Sequence, residues 1–164
     1  MPRARETHEL SLGHVDGSCA RTKMHAANLP NAIRVDAIIG STKIRVWSLN
    51  ATDEIRSLED LRPDLRIAYV RDTTLIARNL KDYRGQLVPI TTMLTGIKML
   101  AAGRVDYLIG LDNVYQASLE ETTFQSSIYA VGSIGMIEAY PYFHRSRSDL
   151  TERLEALLRD ESKR

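Results

Sequence analysis

The chain has 164 residues, 43% of them hydrophobic, and its 22 basic and 21 acidic residues leave a net charge of +1. A chain of this length buries roughly 70% of its unfolded surface, which is enough for one domain or two small lobes. The balanced charge excludes a strong field for nucleic acid or for an anionic membrane surface. Cys19 is the only cysteine, so an internal disulfide and a cysteine-based metal cluster are also excluded.

The first 50 residues predict a helix followed by three strands. The helix ends at Gly13, and residues 17–20 form a strand after it. Residues 33–39 alternate apolar and polar side chains, which predicts a second strand. Residues 40–42 are expected to interrupt that strand, and residues 43–49 to form the third.

Strands and helices alternate through the middle of the chain. Strands are expected at residues 66–70, 86–90 and 107–111. Helices are expected at residues 57–61, 73–80 and 112–119. A further helix that ends at Ala102 is expected to be capped by Thr91 or Thr92. Such alternation predicts a parallel sheet covered by helices, in which ligands bind at the carboxyl ends of the strands and at helix N-termini.

The end of the chain predicts two strands and a closing helix. Residues 127–131 and 138–144 form the strands, joined by a glycine-containing link at residues 132–135. Ser148 caps the last helix, which carries leucines at helical spacing.

One run, residues 97–110, combines a helix end, a tight turn and a buried strand. Gly103 stands where a helix C-cap needs a left-handed residue, and an apolar, β-rich run follows it. A shorter version, Leu12-Gly13-His14-Val15-Asp16, occurs near the start. The two copies suggest two related lobes, each with a helix that leads into a parallel strand.

The order of these motifs along nearly the whole chain resembles one protein family. The motifs are Ser57-Leu58-Glu59-Asp60-Leu61, Asp72-Thr73-Thr74, Leu100-Ala101-Ala102-Gly103-Arg104-Val105-Asp106 and the aromatic strand Tyr140-Pro141-Tyr142-Phe143. In this order and spacing they resemble bacterial extracellular solute-binding proteins of family 3, the amino-acid type of periplasmic binding protein.

The resemblance implies an α/β, type 2 periplasmic-binding-protein-like fold, with a mixed or parallel sheet and two lobes joined by two crossing strands. Residues 1–45 are then expected to form part of lobe one and the first hinge strand, and residues 46–132 to form lobe two. Residues 133–164 supply the second hinge strand and the return to lobe one. Family members usually begin with a signal peptide and a further strand-helix-strand stretch, so this chain resembles a member without its front.

The resemblance nominates a first group of ligand-binding residues. Arg21 occupies a position where relatives place an arginine that faces the cleft, and its guanidinium suits bidentate binding of a carboxylate. The alternative is a solvated arginine at a helix start. Thr73 and Thr74 match a loop that binds the solute through amides and a hydroxyl.

Asp72 departs from the family pattern, which has glycine at this position. Its carboxylate is also a good helix N-cap, and it would repel an anionic solute and compete for the same amides. The substitution therefore predicts poor binding of ordinary α-amino acids and better binding of a cationic or neutral solute.

Three further residues complete the candidate ligand site. Asp112 follows a strand where relatives often place an acid for a ligand ammonium, although it suits a helix N-cap equally. Trp47 and Tyr69 offer aromatic faces for stacking. Packing in the core or hinge is the alternative for the tryptophan. The histidines show no metal-ligand spacing, and no catalytic motif, metal site or cofactor is nominated.

The resulting hypothesis is a domain that captures a small polar solute, such as an amino acid, for an ABC-type transporter permease or a sensor protein. The alternatives are an enzyme on the same scaffold, similar to cyclohexadienyl dehydratases, and a truncated remnant without ligand binding. The incomplete lobe one leaves a sheet edge that invites a homodimer. The resemblance implies a periplasmic protein. Since the N-terminus shows no signal peptide, a cytoplasmic location is expected if Met1 is the genuine start.

Overall fold

The computed structural model describes residues 3–26, 29, 31–71, 73–120 and 128–161. The chain divides into two compact units. Unit 1 comprises Met1–Ser41 and Ile137–Arg164, and unit 2 comprises Thr42–Met136. The chain therefore passes from one unit to the other twice.

Helices and strands occur in both units. The strands are β1 (Gly17–Arg21), β2 (Ala32–Arg34), β3 (Gly40–Ser48), β4 (Arg66–Val70), β5 (Gln86–Ile90), β6 (Tyr107–Leu111) and β7 (Tyr129–His144). The helices are α1 (Arg3–Ser11), α2 (Lys23–Ala26), α3 (Thr74–Asn79), α4 (Met93–Ala101), α5 (Asp112–Leu119) and α6 (Ser148–Glu161). Short 3-10 turns occupy Leu58–Asp60, Leu80–Asp82 and Arg145–Arg147.

Unit 2 is built on a sheet with a parallel centre. Strand β4 pairs in parallel with β5 on one side and with β6 on the other, and β3 runs antiparallel beside β6. A parallel pair requires a crossover connection, and the chain between β5 and β6 supplies it as α4. The parallel strands predicted at residues 66–70, 86–90 and 107–111 are therefore confirmed.

The core of unit 2 depends on how closely α4 approaches the sheet. Gly96 and Ile97 lie on the buried face of this helix. A Cβ atom at Gly96 would collide with the side chains of Leu108 and Ile90. Glycine therefore permits a close approach that outweighs its low helix propensity. Thr92 caps the helix by accepting a hydrogen bond from the amide of Thr95 at 3.2 Å, as the sequence predicts.

In unit 1 the C-terminal half of β7 pairs with both β1 and β2. Both pairings are antiparallel. The expectation that each lobe has a helix leading into a parallel strand is therefore wrong for β1 within the described residues. Beneath these strands lies a small apolar cluster of Leu10, Leu29, Tyr140 and Tyr142.

The strand predicted at residues 33–39 is shorter than expected. Strand β2 ends at Arg34, although the Val35 amide still donates to the Pro141 carbonyl on β7 at 2.9 Å. The Asp36 amide then donates to the Glu155 carboxylate at 2.7 Å, which interrupts the backbone pairing. Residues 40–42, predicted to break a strand, begin β3.

The link predicted at residues 132–135 lies inside β7, which is continuous. Gly132 forms a parallel bridge with Ile55, and a Cβ atom at this position would overlap the Ile55 carbonyl. This glycine thus permits close backbone contact and does not end the strand. Among the described residues, no helix has the length and apolar character that crossing a membrane requires.

We expect Ile97→Ala to lower the free energy of unfolding by about 2–5 kcal/mol, because it leaves a cavity between α4 and the sheet. Ile97 is fully buried. Lys98→Ala on the exposed face of the same helix is the control, with an expected change within about 0.5 kcal/mol. Urea denaturation measures both, and equal effects would contradict the packing described for α4.

Candidate functional site

The ends of the unit 2 strands bring several polar segments to one edge of the sheet. We call this the carboxyl edge and define it by residues 71–74 after β4, 91–92 after β5, 111–113 after β6, and 42–45 in the antiparallel β3. The register aligns Val70 with Ile90 and Ile44 with Leu111. Ligands of open α/β sheets bind at this kind of edge.

Asp112 forms an ion pair with Arg45 at the carboxyl edge. The Arg45 Nε atom lies 2.9 Å from Asp112 Oδ2, and the two side chains are 30% and 27% exposed. Antiparallel pairing places Arg45 opposite Gly110, so its side chain reaches the first residue of α5, which is Asp112. The acid nominated for a ligand ammonium thus already has a cationic partner.

Thr42 and Asn113 tie β3 to the start of α5 beside this ion pair. The Thr42 hydroxyl donates to Asn113 Oδ1 at 3.0 Å. Neither these two residues nor Arg45 is among the ligand-binding residues predicted from the sequence. Arg45 carries a recognisable signal, because it is a charged residue between the apolar Ile44 and Val46 in a strand.

The loop after β4 leads into the short helix α3. The Thr73 amide donates to the Val70 carbonyl at 3.1 Å, and the Thr73 side chain makes no capping hydrogen bond within the described part of the loop. Thr74 is the first helical residue. Asp72 lies outside the described residues. Thr73 therefore stands at the carboxyl edge, and its role toward a ligand stays a prediction.

Trp47 lies in the core of unit 2. It is 1% exposed and stacks on Tyr115, with ring centroids 4.1 Å apart and planes inclined by 14°. Burial also raises the pKa of Tyr115 to about 12. The sequence allowed two roles for Trp47, stacking on a solute or packing in the core or hinge. The structure places it in the core, where neither face of its ring is exposed.

Tyr69 occupies the middle strand of the parallel group. It pairs with Pro89 on β5 and with Ile109 on β6, and it is half-buried. Its position one residue before the end of β4 places it near the carboxyl edge, and its role toward a ligand stays a prediction.

Arg21 belongs to unit 1, at the end of β1, and its charge is balanced within that unit. Its guanidinium forms an ion pair with Glu6, with side chains 15% and 23% exposed. Nη1 also donates to the Ala20 carbonyl at 2.8 Å. Arg21 is therefore not the solvated arginine that the alternative interpretation of the sequence predicts. It already has an ion-pair partner, Glu6, within unit 1.

The Ser18 hydroxyl completes this buried arrangement in unit 1. It donates to Glu6 Oε1 at 2.6 Å. That hydrogen bond, together with the positive charge of Arg21, lowers the pKa of Glu6. Glu6 therefore stays ionised in the folded state and holds the Arg21 side chain in place.

A separate hollow lies at the opposite, amino-terminal side of β4 and β5. It encloses about 310 Å³ and is lined mainly by apolar side chains, including Leu61, Leu80 and Tyr83. Its lining contains none of the nominated ligand residues. Across the described residues, no three side chains of His, Cys, Asp or Glu are grouped so as to hold a metal ion.

The sequence matches no protein-family model and no curated protein, but many solved structures share its fold. A mutant of ArgBP from T. maritima aligns with 99% of this chain and 70% of its own, at a TM-score of 0.69 and 14% identity. The GluR0 ligand-binding core in complex with L-glutamate aligns with 96% of this chain and 71% of its own, at a TM-score of 0.73 and 15% identity. A histidine kinase sensor domain with similarity to periplasmic binding proteins aligns with 98% and 71%, at a TM-score of 0.64 and 17% identity.

The chain has a periplasmic-binding-protein-like fold. The predicted resemblance and the predicted α/β fold class are thereby confirmed at the level of the fold. Sequence identities this low support a shared fold, whereas function must be argued from the site itself.

We expect Glu6→Gln to reduce the pH dependence of stability in acid. A lowered folded-state pKa means that Glu6 stabilises the fold above the unfolded pKa, and that this contribution disappears as pH falls through the folded pKa. The variant should therefore be less stable than wild type near pH 7, and this deficit should be smaller at an acidic pH below the unfolded-state pKa of Glu6.

Thermal unfolding at the two pH values measures this difference. Glu54→Gln, at a carboxylate that is 68% exposed, is the control and should follow wild type at both. A constant deficit of Glu6→Gln across the range would contradict the lowered pKa of Glu6.

Proposed function

We propose that the chain binds a small polar solute of the amino-acid class at the carboxyl edge of unit 2. The observation that carries the proposal is the cluster of charged and hydroxyl side chains at the ends of parallel strands, with Arg45 and Asp112 at its centre. The position agrees with the general location of ligand sites in open α/β sheets. The role is binding, and no catalytic group is nominated.

The structural neighbours support a ligand-binding role. The names of these neighbours describe ArgBP, a ligand-binding core holding L-glutamate, and a sensor domain. The solute class is carried over from them to this chain as part of the proposal. The finer assignments, capture between two lobes and delivery to a partner, rest on the resemblance alone.

Each nominated residue has a proposed role in this scheme. Thr73 and Thr74 offer a hydroxyl and amides to the solute, and Asp112 follows the neighbouring strand β6 as the first residue of α5. Tyr69 supplies an aromatic wall, and Arg21 is retained as a carboxylate anchor from the resemblance. Trp47 supports the site through the core.

The proposed partner is a transporter permease or a sensor protein, and the proposed location is the periplasm. The sensor role draws specific support from the histidine kinase sensor domain among the neighbours. A homodimer through the sheet edge of unit 1 belongs to the same proposal.

We expect the full chain to bind at least one amino acid from a panel of neutral, acidic and basic members. A thermal-shift screen identifies the ligand, because a ligand that binds only the folded state raises the unfolding temperature. Isothermal titration calorimetry then gives the affinity and stoichiometry. Absence of binding by every amino acid in the panel would overturn the proposed function.

We expect Asp72→Gly to strengthen binding of carboxylate-bearing amino acids. The change removes a negative charge at the residue before Thr73, the N-cap of α3, and so removes its repulsion of a solute carboxylate. Calorimetry on both proteins measures the change. Asp64→Gly, at an exposed loop acid, is the matched control, and equal affinities of all three proteins would show that Asp72 is a bland surface residue.

A further inference from the structure

Arg45 has more hydrogen-bond donors than its partner uses. A guanidinium carries five N–H donors, and one carboxylate engages at most two of them. Among the described residues, Asp112 is the ion-pair partner of Arg45, and the Arg45 side chain makes no hydrogen bond to any other group there. Among the described residues, part of the guanidinium fork therefore stays unused at the partly exposed carboxyl edge.

A second ion pair in unit 2 contains an arginine that uses three of its five donors. Arg66 donates to Asp106 through Nε at 3.0 Å and through Nη2 at 2.9 Å, and Nη2 also donates to the Gly103 carbonyl at 3.0 Å. The side chains of this pair are 39% and 33% exposed, similar to those of Arg45 and Asp112. The two pairs thus differ in donor use more than in exposure.

The carboxyl edge carries more cations than anions. The register places Lys43 level with Asp112, because Ile44 pairs with Leu111. Arg71 follows β4 directly at the same edge and is exposed. Three cations, Lys43, Arg45 and Arg71, therefore accompany the one described carboxylate, and Asp72 adds one further acid in the sequence.

We propose that this edge selects an anionic solute of the dicarboxylic amino-acid class and that Arg45 binds the side-chain carboxylate of that solute. The inference rests on the proposed function, and it replaces the preference for a cationic or neutral solute that Asp72 alone predicts. Asp112 is neutralised by Arg45 and so does not act as an isolated site for an ammonium group. The unused donors of Arg45 bind a carboxylate oxygen, and the surrounding cations favour a negative net charge on the ligand.

The first experiment compares L-glutamate, L-glutamine and L-arginine by calorimetry on the full chain. Glutamate and glutamine differ in one carboxylate, so their affinity ratio isolates its contribution. We expect glutamate to bind at least about tenfold more tightly than glutamine, as the net strength of a charge-assisted hydrogen bond indicates. We expect arginine to bind weakest, and the preference for glutamate to fall with added salt.

The second experiment separates ligand binding from a purely structural role of Arg45. Arg45→Gln combined with Asp112→Asn removes both charges and leaves no unpaired ion. If Arg45 only neutralises Asp112, this double variant keeps the wild-type preference for glutamate. If Arg45 binds the ligand carboxylate, the preference for glutamate over glutamine falls by about tenfold. Asp112→Asn alone should strengthen glutamate binding, because it releases Arg45.

The matched control is Arg66→Gln combined with Asp106→Asn, which should leave the preference unchanged. Glutamine or arginine binding as tightly as glutamate would overturn this inference and leave the proposed function intact. An unchanged preference in the Arg45 and Asp112 double variant would remove Arg45 from the role. Failure of all amino acids to bind would overturn the proposed function itself.

Discussion

The close contact between helix α4 and the parallel strands is the constraint on which unit 2 depends. Gly96 has no side chain, and the branched residues Ile90 and Leu108 fill the space that a Cβ atom would occupy. Buried side chains on both sides of Gly96 continue this contact along the helix. Because the helix connects the end of β5 to the start of β6, its position determines where β5 ends and where β6 begins.

The same core also assigns the only tryptophan to a structural role. Trp47 lies on β3, next to β6, and its ring is covered by Tyr115 from α5. This stack holds α5 against the sheet at its middle. The start of α5, with Asp112 as its first residue, is thereby kept beside Arg45. Aromatic packing inside the unit thus supports the ion pair at its edge.

Ion pairs in this protein serve two different purposes. The Glu6 carboxylate holds Arg21 in place in unit 1, and both side chains are mostly buried. Such pairs mainly balance charges that burial would otherwise penalise. The Arg45–Asp112 pair has more solvent contact and uses only part of the guanidinium. That difference separates an arginine used for folding from one that has donors to offer a ligand.

The alternation of strands and helices in unit 2, with the caps at Thr92 and Gly103, could be predicted from the sequence because these features depend on neighbours within a few residues. Continuity of β3 through residues 40–42 could not be predicted. Gly40 suggests a break in the sequence, yet it opens β3 in the structure. Gly132 suggests a break for the same reason, and only the structure shows its close approach to the Ile55 carbonyl inside β7.

Some features of the candidate site could likewise be predicted from the sequence, and others could not. By itself the sequence determined which polar residues follow the strands, including Thr73 and Asp112, because strand ends are local features. Only the tertiary structure decided their partners. Asp112 is separated from Arg45 by 67 residues, the difference of their positions in the chain, and antiparallel pairing of β3 with β6 brings them together. Charge pairing across strands depends on register, which no local pattern contains.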